Sequence, residues 1–332
     1  MLEHGGRLLR AAQRYGIAPA DWLDLSTGIN PESWPLPAIP ARAWHRLPED
    51  DDGLHATARD YYGAPDLLAV AGSQAAIQAL PWLRAPSRVG VLAPGYAEHA
   101  HAWRQAGHAV ELRASADLLA QAERYDVVVL IHPNNPGGER YEGTALLDLH
   151  ARLAARGGWL LIDEAFMDAT PDASLCAETA RPGLIVLRSV GKFFGLAGAR
   201  AGFVCAEPAL LGALRERLGP WTLSGPTRHV VRLALEDRDW QTRARARLLA
   251  QGERLAALLD AHGHTPTAGC AFFQWHRCDD APALHEALAR RGILTRLFDA
   301  PASVRFGLPG DDAAYARLDA ALAEIGSERS LA

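Results

Sequence analysis

Lysine is almost absent from this sequence of 332 residues. Of the 34 basic residues only Lys192 is a lysine, so 33 are arginines. Arginine can replace lysine as a solvated charge but not as an amine nucleophile, because its guanidinium stays protonated. The single lysine is therefore a candidate for covalent chemistry, above all a Schiff base, against the alternative of chance retention in an arginine-rich chain.

Metal-ligand and disulfide patterns are also missing. The chain has four cysteines and 13 histidines, but it contains no CxxC pair and no HExxH motif. This predicts that no metal is bound and that the thiols are reduced, as in a cytoplasmic protein. The cysteines are Cys176, Cys205, Cys270 and Cys278.

Several classes of protein are excluded by what the composition lacks. The net charge of −5 gives no basic footprint for nucleic acid. The longest uncharged stretch, residues 67–83, is broken by polar residues and a proline, so no membrane span is expected. The first residues, MLEHGGRLLR, lack the apolar core of a signal peptide. With 49% apolar and 22% charged residues, a globular chain is expected and a disordered one is not.

Short apolar runs alternate with helical stretches from residue 53 onward. Seven runs between residues 67 and 205 read as buried strands, and strands that alternate with helices predict a parallel α/β sheet. Beyond them, helices are expected at 208–218 and 226–261, followed by a smaller α+β unit. The predicted organisation is an N-terminal arm over 1–40, a large domain over 41–228 and a small domain over 229–332.

Polar residues cluster where five of the predicted strands end. In open α/β sheets, ligands bind beyond the carboxyl ends of the strands, so these clusters are expected to line one crevice. They are Gly72-Ser73-Gln74, Pro94-Gly95-Tyr96, the HPNNP run at 132–136, Asp163-Glu164-Ala165 and Ser189-Val190-Gly191-Lys192.

In this order the clusters resemble those of the fold-type I pyridoxal-phosphate enzymes, the aspartate aminotransferase superfamily. The motifs that carry the resemblance are PNNPGG, LLIDEAFMD, RSVGKFFGLAGARAGF and SVRFGLP. The segments HGG, LDLSTGINP and PGYAEH are similar to the histidinol-phosphate aminotransferase branch, and closest to its threonine-phosphate decarboxylases of cobalamin biosynthesis. The resemblance implies a large domain with a mainly parallel seven-stranded sheet, a small α+β domain and pyridoxal 5'-phosphate as cofactor.

The resemblance assigns roles around the cofactor ring. Lys192 would bond to the aldehyde, and Asp163 would pair with the protonated ring nitrogen and keep the ring a strong electron sink. Asn135 would bond the ring hydroxyl oxygen, and Tyr96 would stack on the ring face. The structural alternatives are a capping aspartate, a turn asparagine and a core tyrosine.

The phosphate of the cofactor would lie at the start of a helix. Ser73 and Gln74 follow Gly72, and their backbone N–H groups form a ready anion site. Ser189 and Arg200 would add a hydroxyl and a bidentate charge. Arg200 follows the lysine by eight residues, as the family has it, and without that spacing it would pass for a surface charge.

The substrate side involves residues near both ends of the chain. Arg305 would hold the α-carboxylate, and Arg296 and His4 would hold a substrate phosphate. A disordered terminus is the alternative for His4. Further substrate contacts are implied at Gly5, Thr27, Asn30 and Asn135.

Three positions depart from the family pattern. Phe166 stands where many aminotransferases of the branch have a tyrosine, so it cannot donate to the ring oxygen. Gly191 replaces a serine or threonine before the lysine, and Leu47-Pro48 replaces a Tyr-Pro pair that reaches the partner subunit's cofactor. The first departure counts against ordinary transamination.

The implied reaction is decarboxylation of L-threonine O-3-phosphate to (R)-1-amino-2-propanol O-2-phosphate. The alternatives are a histidinol-phosphate-type aminotransferase, a nucleotide-binding module, which the absence of GxGxxG and GxxxxGK[ST] disfavours, and an inactive scaffold. A cytoplasmic homodimer is implied as well, with Trp22, Trp34 and Trp44 near its expected interface.

Overall fold

The computed structural model describes residues 4–330. Two units emerge from the contacts within the chain. We call Ser33–Asn135 with Glu139–Arg245 the sheet unit. The terminal unit contains the residues up to Glu32, Pro136–Gly138 and the residues from Ala246 onward. Residues 4–32 thus group with the C-terminal part of the chain, whereas the expected arm over 1–40, large domain over 41–228 and small domain over 229–332 stay a prediction.

The secondary structure follows the chain in an almost regular alternation. The strands are β1 Leu23–Asp24, β2 Leu67–Val70, β3 Arg88–Leu92, β4 Ala109–Arg113, β5 Val127–Ile131, β6 Trp159–Asp163, β7 Leu184–Ser189, β8 Gly202–Cys205, β9 Ala268–Cys270, β10 Phe273–Arg277, β11 Ile293–Leu294, β12 Arg296–Asp299 and β13 Ala302–Gly307. The α-helices are α1 Leu8–Tyr15, α2 Arg42–His45, α3 Leu54–Tyr62, α4 Ser73–Ala79, α5 Glu98–Gln105, α6 Ser115–Ala120, α7 Gly143–Ala154, α8 Val190–Phe193, α9 Pro208–Leu218, α10 Gly225–Glu236, α11 Arg238–Ala261, α12 Ala281–Arg290 and α13 Asp312–Ser330.

All seven strands predicted between residues 67 and 205 form one sheet in the sheet unit. Their order is β2-β8-β7-β6-β5-β3-β4, and β8 runs antiparallel to both of its neighbours while the other pairs are parallel. The central strands β5 and β7 are buried at every residue, as expected for strands covered on both faces. The prediction of a mainly parallel α/β fold is confirmed.

The terminal unit contains two smaller sheets. Strands β12-β13-β10-β9 form an antiparallel sheet, and β1 pairs in parallel with β11. Residues of α1 pack with Trp22, Ala289 and Leu294 in a small apolar cluster. The N-terminal segment therefore contributes a strand and a helix to this unit, beyond the short helix expected within an arm.

The prediction of one helix over residues 226–261 is wrong, because the structure has two helices in this range. The helices α10 and α11 are separated at Asp237. Its carboxylate accepts a hydrogen bond from the Trp240 N–H (3.0 Å), which caps the start of α11, and another from the Trp34 indole (3.0 Å). Helical periodicity continues across such a capped break, so the sequence pattern alone did not reveal it.

Helix length and hydropathy bear on membrane insertion. Within residues 4–330, no helix is both long and apolar enough to cross a bilayer. The longest, α11, has 24 residues but is rich in arginine.

Candidate active site

The carboxyl ends of three adjacent parallel strands bring four of the predicted cofactor residues of the sheet unit to one edge. In the register of β5, β6 and β7, Ile131 lies beside Asp163, and Asp163 lies beside Leu187. Asn135 follows β5, Ser189 is the last residue of β7, and Lys192 lies in α8, which directly follows β7. The strands β2 and β3, which precede the other two clusters, run in the same direction as β5 and β7. The five sequence clusters thus lie where the strand-end argument places them.

Asp163 is almost fully buried and has partners on both carboxylate oxygens. Its Oδ2 lies 2.9 Å from Nε2 of His99, a side chain with no exposed surface. Its Oδ1 accepts from the N–H of Ala165 at 3.0 Å. The local turn role is therefore present, the pairing with a ring nitrogen stays a prediction, and a buried carboxyl group held in this way has a fixed orientation.

His99 is a site residue that the sequence analysis missed. It lies in α5, and its backbone N–H donates to the carbonyl of Tyr96, three residues earlier, at 3.2 Å. The two rings meet edge to face, with their centroids 6.2 Å apart. The same three-residue spacing in PGYAEH was the signal that could have identified it.

Tyr96 is a neutral hydrogen-bond donor in this arrangement. Burial, with help from the Glu98 and Asp163 charges, raises the pKa of its phenol to about 12. Its hydroxyl donates to Oε1 of Gln74 at 3.1 Å, and Nε2 of Gln74 donates to Glu98 at 3.0 Å. These bonds fix the ring beside the first turn of α4.

Lys192 lies in the short helix α8 directly after β7. Its Nζ lies 5.6 Å from the ring centroid of the buried Phe166, a distance at which an ammonium is attracted to an aromatic face. A Cβ on Gly191 would lie only 3.1 Å from Cα of Ala197. Close packing therefore accounts for the glycine where a serine or threonine was expected.

Glycines create an anion cradle at the start of α4. Gly72 has φ +73°, and a Cβ there would lie 2.8 Å from a guanidinium nitrogen of Arg200. A Cβ on Gly202 would lie 2.7 Å from the backbone nitrogen of Ser73. The missing side chains let a cation and the first-turn N–H groups of Ser73 and Gln74 approach one another, a donor set suited to phosphate.

Asn134 ties together two of the loops that bear site residues. Its side-chain nitrogen donates to the carbonyl of Pro94 at 2.8 Å and to Glu139 at 2.6 Å. The Pro94 carbonyl belongs to the loop that carries Tyr96, so the loop after β5 holds the loop after β3 in place. Asn134 was absent from the predicted residues, because only its neighbour Asn135 matched the family motif.

A buried ionic network supports the edge of the sheet from within. Arg188 is bonded to Glu164 at 2.5 Å and to Asp168 at 3.0 Å, and Tyr61 donates to Asp168 at 2.8 Å. Burial would lower the pKa of Arg188, but Asp168 and Glu164 outweigh it and raise that pKa well above its usual range. The network holds the loop after β6, which includes Phe166, in a single arrangement.

In the terminal unit, two predicted substrate residues face each other. Arg296 on β12 is directly opposite Arg305 on β13. Arg305 is 6% exposed, and it donates to the carbonyl of Ser26 at 2.8 Å. Burial, and secondly the charge of Arg296, lower its pKa to about 10. Two like charges placed opposite each other are unfavourable, which makes this pair an attractive place for an anion.

The other predicted substrate residues of the terminal unit lie close to this pair along the chain. Thr27 follows Ser26 directly, and its carbonyl would be 2.2 Å from a Cβ on Gly307. Asn30 is 2% exposed, and its Oδ1 accepts from the N–H of Glu32 at 3.1 Å. His4 and Gly5 are half-buried. Their roles stay predictions.

A family model of aminotransferase class I and II matches residues 48–322. The chain belongs to the aminotransferase class I and II family. Its relatives include proteins named threonine-phosphate decarboxylase from Pseudomonas aeruginosa, 62% identical over 97% of both chains, and from Sinorhizobium, 44% identical over 97% of this chain and 98% of the relative.

The chain is also similar to solved structures. A histidinol-phosphate aminotransferase from Sinorhizobium meliloti, solved in complex with pyridoxal-5'-phosphate, has a TM-score of 0.82 and 22% identity. It covers 100% of this chain and 99% of its own. At that identity the likeness speaks for the fold alone.

Proposed function

We propose that the protein is a pyridoxal-phosphate-dependent decarboxylase that converts L-threonine O-3-phosphate to (R)-1-amino-2-propanol O-2-phosphate and carbon dioxide. The observation that carries the proposal is the 62% identity, over 97% of both chains, to a relative named threonine-phosphate decarboxylase. A place in cobalamin biosynthesis stays a prediction.

The residues of the sheet unit fit this cofactor. The cradle formed by Gly72, Ser73 and Arg200 suits its phosphate. Ser189, at the end of β7, is paired with Gly202 of β8, which packs against the backbone of Ser73. The buried carboxylate of Asp163 suits a protonated ring nitrogen. Lys192 supplies the primary amine, Asn135 a donor for the ring oxygen and Tyr96 a face for stacking.

When bound, the cofactor withdraws electrons from the substrate Cα, so that the bond to the carboxylate carbon can break. His99 holds the Asp163 carboxylate in one orientation by the 2.9 Å bond to Oδ2. Lys192, the only side-chain primary amine in the sequence, would deliver a proton to Cα after carbon dioxide leaves. Phe166 supports the Lys192 ammonium without adding a hydroxyl.

The substrate is oriented by binding its two anionic ends. Arg305 is assigned to the carboxylate, and Arg296 with His4 to the phosphate, with Gly5, Thr27 and Asn30 nearby. Holding both ends fixes which Cα bond is activated, because only the bond perpendicular to the cofactor ring is weakened. The cross-strand position of Arg296 and Arg305 supports this assignment, since an anion relieves their repulsion.

Product analysis tests the function. The purified, cofactor-loaded protein is expected to release carbon dioxide from L-threonine O-3-phosphate. The alternative is an aminotransferase, because the fold and the sequence motifs resemble the histidinol-phosphate aminotransferase branch. Glutamate formation from histidinol phosphate and 2-oxoglutarate, without carbon dioxide release, would establish that alternative. Release of neither product would contradict both.

We also propose that the protein is a cytoplasmic homodimer. Of the three tryptophans expected near an interface, Trp22 and Trp34 are buried within the chain, whereas Trp44 is 64% exposed. Leu36 and Leu47 are exposed to a similar extent, so the segment 36–47 presents apolar side chains that a second copy could cover. Light scattering on the purified protein gives the oligomeric state.

A further inference from the structure

The N-terminal segment of the terminal unit, residues 4–7, is bonded to a buried serine that the proposed function does not use. Ser26 is 2% exposed and follows β1. Its backbone N–H and its hydroxyl both donate to Oδ1 of Asp24, at 2.9 and 2.6 Å. With its proton committed to Asp24, the hydroxyl oxygen accepts from the N–H of Gly6 at 2.8 Å. The serine side chain is therefore fixed, and it holds the N-terminal segment.

The contact between Gly5 and Ser26 leaves no space for a side chain. A Cβ on Gly5 would lie 2.1 Å from the Ser26 carbonyl oxygen and 2.9 Å from its carbonyl carbon. These are backbone atoms, which cannot rotate away as a side chain can. Only glycine allows the N-terminal segment to lie in this position.

The same carbonyl oxygen orients the buried arginine. Nη2 of Arg305 donates to it at 2.8 Å. One oxygen atom thus touches the N-terminal segment on one side and the predicted carboxylate-binding group on the other.

The strand that carries Arg305 is held to the same stretch of backbone. The N–H of Gly307 donates to the carbonyl of Leu25 at 2.7 Å, and a Cβ on Gly307 would lie 2.2 Å from the carbonyl of Thr27. Residues 25–27 are therefore packed between the N-terminal segment and β13, with a glycine at each contact. A shift of this backbone moves the acceptor of Arg305.

We propose that Ser26 is a positioning residue that couples the seating of the N-terminal segment to the orientation of Arg305. Seating of Gly5 and Gly6 sets the place of the Ser26 carbonyl, and that carbonyl sets the direction in which the guanidinium faces the substrate carboxylate. His4, which directly precedes Gly5, is placed by the same contact. The inference rests on the proposed function for the role of Arg305, and on the hydrogen bonds and close approaches alone for the coupling.

Two variants separate the seating of the N-terminal segment on Ser26 from the orientation of Arg305 by the Ser26 carbonyl. Ser26→Ala removes the acceptor of the Gly6 N–H but keeps the carbonyl that holds Arg305. Gly5→Ala forces a methyl group against that carbonyl, so it displaces both the segment and the acceptor. Gly212→Ala is the matched control, because a Cβ at that position in α9 meets nothing within 4 Å.

The first readout is hydrogen exchange of the Gly6 amide in the full-length, cofactor-loaded protein. Loss of one net hydrogen bond corresponds to exchange that is about tenfold faster. We expect this increase in Ser26→Ala and at least as much in Gly5→Ala, with no change in Gly212→Ala. Unchanged exchange of the Gly6 amide in both test variants would overturn the claim that Ser26 holds the N-terminal segment.

The second readout is the binding and turnover of L-threonine O-3-phosphate. We expect Gly5→Ala to raise both the dissociation constant and KM by about tenfold or more, with a smaller change in kcat and in the cofactor's visible absorbance. Ser26→Ala should raise KM less, because the carbonyl remains. A purely structural role would instead lower the amount of folded enzyme and leave KM unchanged, and that result would overturn the coupling.

The outcomes also separate this inference from the proposed function. If the wild-type protein binds threonine phosphate but releases no carbon dioxide, the decarboxylase assignment fails. The ratio of dissociation constants between Gly5→Ala and the wild type still decides the coupling in that case. If the wild type does not bind threonine phosphate, the proposed function and the role of Arg305 toward that substrate are contradicted, while exchange of the Gly6 amide still decides the seating of the N-terminal segment.

Discussion

The two units of the chain differ in the partners to which their buried ionisable side chains are bonded. In the sheet unit, Asp163 is bonded to His99, and Arg188 is bonded to two carboxylates. In the terminal unit, the buried Arg305 faces another arginine and donates to a neutral carbonyl oxygen. Polar side chains that are bonded to one another within the chain keep one arrangement and can support a resident cofactor throughout turnover. Arg305 and Arg296, which lie opposite each other on neighbouring strands, are the side chains that we propose for an anion that arrives and leaves with each turnover.

The largest effect is expected at the lysine of the sheet unit. Lys192→Arg keeps the positive charge but removes the amine, because the guanidinium does not lose its proton. We expect carbon dioxide release to fall by at least about 10³-fold, on the scale of losing a catalytic proton donor. The visible absorbance of the cofactor-loaded protein should be lost too. A yellow, active Lys192→Arg enzyme would contradict the assignment.

Breaking the buried ionic network around Arg188 should lower the stability of the protein. Arg188→Met leaves Glu164 and Asp168 buried beside each other without their cation. We expect the free energy of unfolding to fall by about 3–5 kcal/mol, measured by denaturant titration. A loss below about 1 kcal/mol would mean that the cluster is not the support described above.

The matching change in the terminal unit should behave differently. Arg305→Met removes the predicted carboxylate contact, so kcat/KM for threonine phosphate should fall by about 10²- to 10³-fold. The free energy of unfolding without substrate should fall by less than in Arg188→Met, because Arg305 donates to a carbonyl oxygen and its removal does not leave two buried carboxylates without their cation. If Arg305→Met is as destabilising as Arg188→Met, the contrast between the units is wrong.

In the sheet unit, a buried histidine makes the free energy of unfolding depend on pH. Burial, and secondly the charge of Arg140, lower the pKa of His132 to about 4 from its ordinary 6.5. In the folded protein this ring stays neutral while the unfolded chain takes up a proton, so stability is lost as the pH falls from 6.5 toward 4. The shift corresponds to about 3 kcal/mol.

Comparison with a variant isolates this contribution. His132→Asn should flatten the dependence of the unfolding free energy on pH between 6.5 and 4, whatever it does to stability at neutral pH. Parallel pH profiles for the variant and the wild type would show that another group is responsible for the acid sensitivity.

The sequence predicted the parts of the molecule that have a local pattern. The seven strands were recognisable because fully buried strands such as Val127–Ile131 are continuous apolar runs, and the strand-end rule placed Asp163 and Lys192 at one edge. The family motifs added which role each residue is expected to play.

The remaining features depend on contacts between distant residues, which no local pattern records. The bond between His99 and Asp163 joins residues 64 positions apart, and the bond between Arg305 and Ser26 joins residues 279 positions apart. The pairing of Arg188 with Glu164 requires the register of two neighbouring strands. The break at Asp237 was hidden because the helical pattern continues on both sides of the cap.

The central claim is that Lys192 holds the cofactor covalently. Borohydride reduction of the cofactor-loaded protein, followed by mass spectrometry of its peptides, tests this directly, since the chain has no other lysine that could carry the label. We predict a phosphopyridoxyl group on the peptide that contains Lys192 and bleaching of the visible band. A reduced protein without label on that peptide would contradict the account.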